Sequence, residues 1–186
     1  LDMNTIKFFN ENKDVSFVVP LGVGSHLKKW GVSSSRITEM DWWENKVIKD
    51  IKFICTPAQH FSGRKGFVET QKSLWASWVV KSGKRSFYFS GDSGYSKHYK
   101  EIGKKYGPME LVFMDSGQYN TRWRSVHNMP DEVIKGFIDV KGENLIPIHW
   151  VMFTLAMHNR YDPPVEIEKR AKEQNISLIT PIIGQV

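Results

Sequence analysis

Cysteine is almost absent: Cys55 is the only one in 186 residues. A disulfide framework within the chain is therefore excluded, and Cys55, set in Ile51-Lys-Phe-Ile-Cys55, reads as a small core residue. Long apolar runs are missing too. None approaches the ~20 residues that a membrane-spanning helix needs, because Lys, Ser or Gly breaks each one. Repeats, linkers and low-complexity tracts are lacking, which leaves residues 1–186 as one structural unit. No basic arm and no nucleic-acid-binding motif is present, so nucleic acid is not an expected partner. The chain lacks an initiating Met and a signal-peptide pattern, and its first residues already read as mid-domain sequence. The expectation is a processed, truncated or partly covered polypeptide.

What is there is ordinary for a folded domain: 40% hydrophobic and 25% charged residues. The net charge of +6 favours anionic partners such as phosphate compounds or an anionic membrane surface. It is scattered in short pairs such as Lys28-Lys29, and by itself it selects none of these. The expected setting is soluble, cytoplasmic or membrane-peripheral.

Periodicity gives a coarse map. Residues Leu1 to Asn10 repeat at helical spacing, and Val15 to Val19 reads as a strand stopped by Pro20. A short helix over His26–Trp30 ends at Gly31. Two strands are expected between Ile37 and Pro57, the second over Val47–Cys55. Leu74–Val80 and Ser86–Phe89 form a hairpin turning at Ser82-Gly83-Lys84. From there helices around Tyr99–Tyr106, Pro130–Val140 and Asp162–Gln174 alternate with strands Leu111–Met114, Leu145–Ile148 and Ile176–Thr180. Asp162 is the expected N-cap of the last helix and Pro163 its first residue. Strands first and then strand–helix alternation suit a layered α/β domain with a mixed sheet and flanking helices.

Three residues share a placement where the backbone leaves a strand: His60, Asp92 and His149. Strand ends hold a side chain rigidly and still let it face a cleft. Imidazole and carboxylate are donors suited to Zn²⁺, and a carboxylate can bridge two ions. Fe or Mn would also suit such a set.

The words around these residues carry a resemblance. Thr56-Pro-Ala-Gln-His-Phe-Ser-Gly-Arg64, Leu74-Trp-Ala-Ser-Trp78, Phe89-Ser-Gly-Asp-Ser-Gly-Tyr95, His127-Asn-Met-Pro-Asp-Glu132 and Ile148-His-Trp150 occur in one order. They resemble the metallo-β-lactamase-fold hydrolases related to N-acyl-phosphatidylethanolamine-hydrolysing phospholipase D. That resemblance implies a two-zinc site at the edge of an αββα sandwich, with His60, Asp92 and His149 as ligands and Asp92 bridging. It implies a site histidine at His127 that contacts the substrate phosphate. The implied reaction is hydrolysis of a phosphodiester, foremost in an N-acyl-phosphatidylethanolamine-type phospholipid, by a water that two zinc ions activate. A sugar-phosphate lactonase or a nuclease-like phosphodiesterase would carry similar words.

The family's other ligands lie in a His-x-His-x-Asp-His motif upstream of His60, and this sequence does not contain it. The expectation is the C-terminal part of the sandwich, starting just after those ligands, with the first sheet missing and the chain alone inactive. The rival reading is a non-catalytic half-domain acting as a binding or assembly module, which would cover its apolar sheet face by pairing with another copy. Asp115 follows the strand Leu111–Met114 and could support the ligands from behind, although a structural role is the expected one; His26 is expected to pack or hydrogen-bond, and His98 and His158 to lie on the surface. Arg64, Arg122 and Arg124 could meet an anionic head group, and most of the seven tryptophans are expected in the core. Ser93 lacks a paired base at readable spacing and is not a nucleophile candidate.

Overall fold

The computed structural model describes residues 1–63, 72–152, 155–182 and 184–185. Its centre is a seven-stranded sheet in simple order. The strands are β3 (Asn45–Ile48), β4 (Ile51–Thr56), β5 (Ser77–Ser82), β6 (Arg85–Phe89), β7 (Met109–Asp115), β8 (Gly142–Ile148) and β9 (Ser177–Leu178). The first four pair antiparallel and the last four pair parallel. Parallel neighbours need crossovers. These are α3 (His98–Tyr106), α4 (Pro130–Asp139) and α5 (Asp162–Glu173).

Crossovers of one hand between adjacent strands put all three helices on one face. There Ile54, Val79, Tyr88, Val112, Met114 and Leu145 pack against Tyr99, Ile102, Val133, Ile134, Phe137 and Ile167 in one buried cluster. The sequence allows close approach between α3 and α4 at Gly103, where a Cβ would stand 1.9 Å from the Asp139 carbonyl oxygen. Glycine is the residue that fits there.

The opposite face is less covered. Its cross-strand rows run Phe53, Val80, Phe87, Leu111 and Trp78, Phe89, Phe113, Ile146. Near it lies the remainder of the chain: α1 (Met3–Asn12), β1 (Phe17–Pro20), α2 (Gly24–Lys29) and β2 (Ile37–Met40). The strands β1 and β2 pair parallel as a separate two-stranded sheet. Val19, Val23, Leu27 and Val32 form a small core of their own beside it. An open cavity of about 600 Å³ separates Val15 and Val18 from Phe53, Val80 and Phe89.

The mixed sheet and flanking helices agree with the sequence reading, and several details correct it. A second sheet is not wholly missing, because β1 and β2 supply two strands of one. The segment Val47–Cys55 is a hairpin and not a single strand, since Lys49 turns the chain at φ 55°. The N-cap of α5 is Tyr161 and not Asp162, whose carboxylate instead accepts from Asn159 N–H at 2.9 Å. The last strand shrinks to the two residues Ser177–Leu178. None of the seven tryptophans is fully buried. Among the described residues no helix is long and apolar enough to cross a membrane.

Candidate metal centre

Four loops leaving the strand ends bring the chemistry together. His60 lies beyond β4, Asp92 beyond β6 and His149 directly after β8, while His127 precedes α4. The His60 and His127 ring centroids are 5.4 Å apart, and those of His127 and His149 are 5.3 Å apart. His149 Nε2 stands 3.9 Å from Asp92 Oδ2. Asp92 is an open group, with its side chain 51% exposed. It shares with His60 a cleft of about 490 Å³ whose other walls include Val18, Val19, Val23 and Trp78.

Local backbone makes this convergence specific. Gly91, at φ 61°, turns the chain out of β6. Gly117 crosses β8 so closely that a Cβ there would lie 1.6 Å from the His149 carbonyl oxygen. His149 itself sits at φ 65°, a left-handed conformation that costs a non-glycine residue about 1 kcal/mol or more and tends to gather at functional sites. The loop carrying His60 is tied to the one carrying Asp92: Ser93 Oγ accepts from Gln59 N–H at 2.9 Å, and Gly94 N–H donates to the Gln59 carbonyl at 2.9 Å. Ser93 is buried and works as this tie.

The residue whose role sequence reasoning left open is Asp115, the last of β7. It is wholly buried, and its Oδ2 accepts from His127 Nδ1 at 2.8 Å and from Ser93 N–H at 2.9 Å. Burial pushes the Asp115 carboxyl above its ordinary value, while the hydrogen bond and charge of His127 pull it back. For His127 burial acts downward, but the hydrogen bond and charge of Asp115, then Asp92, prevail and hold the imidazole above its usual value. Asp115, His127 and His149 each place a ligand atom within 4.8 Å of the others. The signal was available: Asp115 ends a strand just as Asp92 and His149 follow one.

His98 also departs from the surface placement expected of it. It is 4% exposed, with Nδ1 2.6 Å from Ser96 Oγ and Nε2 3.4 Å from Ser93 Oγ, and burial lowers it to about 4. His158 is half-buried and stacked on Tyr119. His26 packs on Trp30. Arg124 pairs with Glu132 at 2.7 Å, and Arg122 is exposed. Arg64 lies outside the described residues.

Imidazoles and carboxylates gathered at one edge of the sheet, among them the Asp115, His127 and His149 set that could hold a metal ion, are a candidate metal site in an α/β domain. The chain belongs to the beta-lactamase superfamily, whose domain model matches residues 1–150. It is 37% identical over 188 residues to an uncharacterized protein of Mycobacterium tuberculosis, covering all of this chain and 50% of that one. It is 32% identical over 202 residues to the N-acyl-phosphatidylethanolamine-hydrolyzing phospholipase D 1 of Caenorhabditis elegans, covering 100% of this chain and 56% of the relative. The chain thus spans about half the length of these curated relatives. The fold is similar to that of Igni18, a metallo hydrolase from Ignicoccus hospitalis, at TM-score 0.72 and 13% identity over 96% of this chain and 70% of that one.

Proposed function

We propose that this chain carries the C-terminal half of a zinc-dependent phosphodiester hydrolase acting on an N-acyl-phosphatidylethanolamine-type phospholipid. The observation that carries the reading is the convergence of His60, Asp92, His127 and His149 beside a cleft with apolar walls. The name of the nematode relative supplies the substrate class. Imidazole and carboxylate oxygen are the donors that Zn²⁺ takes. His60, Asp92 and His149 would hold the metal, with further ligands from a segment upstream. Bound there, zinc supplies a Lewis acid that acidifies water and offsets the charge growing on phosphorus.

The chain's own residues do the remaining work. His127, half-buried and fixed through Nδ1, turns its Nε2 edge to the substrate phosphate. Val18, Val19, Val23 and Trp78 form walls against which an acyl chain loses water. The tie between Ser93 and Gln59 keeps His60 and Asp92 in one frame. Peripheral contact with an anionic membrane would follow from a lipid substrate and the net positive charge.

The test is metal content and bis(p-nitrophenyl)phosphate turnover for this chain beside a version extended upstream. The extended form should hold about two zinc ions and turn over, and Asp92→Ala should cut turnover by about 100-fold or more and release metal. An extended form that holds no metal and stays inactive would overturn the ligand assignments. The assembly-module reading would then lead, since the half-covered apolar sheet face favours it.

A further inference from the structure

We propose that Asp115 is the positioning residue of His127: its carboxylate takes the Nδ1 proton, fixes the ring, and leaves Nε2 as the nitrogen that meets the substrate. This deepens the hydrolase reading above and rests on it for the role of His127. Asp115 has no exposed surface. Among the described residues its ionic partner is His127, with no lysine or arginine beside it. A carboxylate buried without a permanent countercharge is costly, so a run of packed strand residues gives no stability reason to end on one.

Its hydrogen bonds show what it holds. Oδ2 receives both the His127 Nδ1–H and the Ser93 N–H, at 2.8 and 2.9 Å. Oδ1 faces Gly117 N–H at 3.4 Å, and the Asp115 carbonyl accepts from Asn128 Nδ2 at 3.2 Å. Asn128 is itself anchored to the Tyr99 hydroxyl at 2.9 Å. Asp115 therefore joins the loop that carries Asp92, the loop that carries His127 and, through Gly117, the backbone of His149. A metal ion on Oδ2 would have to displace the imidazole, whereas Asp92 stands open at the cleft. Asp115 is the brace and Asp92 the open ligand position. An imidazole bonded to a carboxylate through one nitrogen is held in one tautomer and one ring orientation, and loss of such a partner costs about 10–100-fold in activity or metal affinity.

The experiment uses the full-length protein labelled with ¹⁵N-histidine, with His127 assigned by comparison with His127→Gln. In the wild type, ring ¹⁵N shifts should place a hydrogen-bonded proton on Nδ1 of His127. Asp115→Ala should abolish that signature and cut phosphodiester turnover by about 10–100-fold, with zinc content unchanged. Asp115→Asn, which keeps an acceptor oxygen, should recover part of both. A wild-type His127 protonated at Nε2 alone, or an Asp115→Ala ring spectrum like the wild type's, overturns the proposal. Zinc lost in step with activity in Asp115→Ala overturns it also, by tying Asp115 to metal retention and not to the orientation of a substrate-facing His127. If Asp115→Ala fails to fold, the wild-type ring shifts and the Asn variant decide. A wild type without turnover refutes the hydrolase reading, while the ring spectrum still decides the role of Asp115.

Discussion

On one face of the seven-stranded sheet, Tyr88, Val112, Met114 and Leu145 are shut from solvent under α3, α4 and α5; on the other, Phe89 keeps 45% of its surface exposed. Both faces are apolar and both belong to the same strands. The difference lies in what the sequence places over them. Each crossover after β6 supplies an amphipathic helix to the first face. Among the described residues, the second is approached by β1 and Val23, while α2 packs into the separate small core together with α1, in which no residue is buried. The cleft holding His60 and Asp92 opens on the second side, beside Val18 and Trp78, but the groups that brace the site belong to the closed side. Asp115 ends a strand whose Val112 and Met114 are in that core, Asn128 reaches the buried Tyr99, and Ser93 contacts the buried His98.

The largest expected difference between the two faces is in stability. Leu145→Ala on the closed face should cost about 2–5 kcal/mol, since nothing there can collapse into the space. A urea titration followed by circular dichroism reads this directly. A loss under about 1 kcal/mol would mean that the helices pack loosely and that the two faces are alike.

The closed half was the legible half. Alternation of strand and helix after Gly91 is written in the period of the apolar residues, and α3, α4, β7 and β8 fall within three residues of the reading. Strand-end placement and a familiar set of words singled out His60, Asp92 and His149, the words alone singled out His127, and the fold brings these four side chains near one another. Two things resisted. Asp115 could be weighed only as a strand-end position with a structural role favoured, because its burial beside His127 is not encoded in sequence spacing. His98 sits among Ser96, Lys97 and Lys100, so it reads as surface, yet the helix turns it inward onto two serine hydroxyls. On the open side, β3 and β4 were fused because nothing but the backbone of Lys49 divides them.

His98 offers the next test, of intermediate size. Its imidazole, lowered by burial to about 4 from an ordinary 6.5, is held neutral in the folded state. A depressed value means that the unfolded chain binds the proton first. The neutral group's contribution is therefore complete above about pH 6.5 and is lost as pH falls toward 4, by roughly 3 kcal/mol at most. Asp115 works in the opposite sense: burial raises it, so its contribution is present at low pH and declines as pH rises. Subtracting the profile of His98→Gln from that of the wild type removes the Asp115 part. That difference, wild type minus variant, should fall in urea midpoints as pH drops from 6.5 to 4. A flat difference would place His98 in contact with water and loosen the loop that holds Asp92.

The smallest effect on folding belongs to the open face, and it separates packing from association. Phe89 is in register with Trp78 on one side and Phe113 on the other, so replacing it removes the centre of an apolar row. Because the ring is already nearly half exposed, Phe89→Ser should change the folding free energy by only about 0.5 kcal/mol. Its effect should appear in how copies of the chain meet. Exposed apolar patches of this kind drive pairing of surfaces that a monomer leaves uncovered. Analytical ultracentrifugation of the chain should show concentration-dependent association in the wild type, and a shift toward monomer in Phe89→Ser at unchanged urea midpoint. A large fall in the midpoint would mean that β1, α1 and α2 cover this face more firmly than the cavity beside Val18 suggests, and the contrast between the two faces would narrow accordingly.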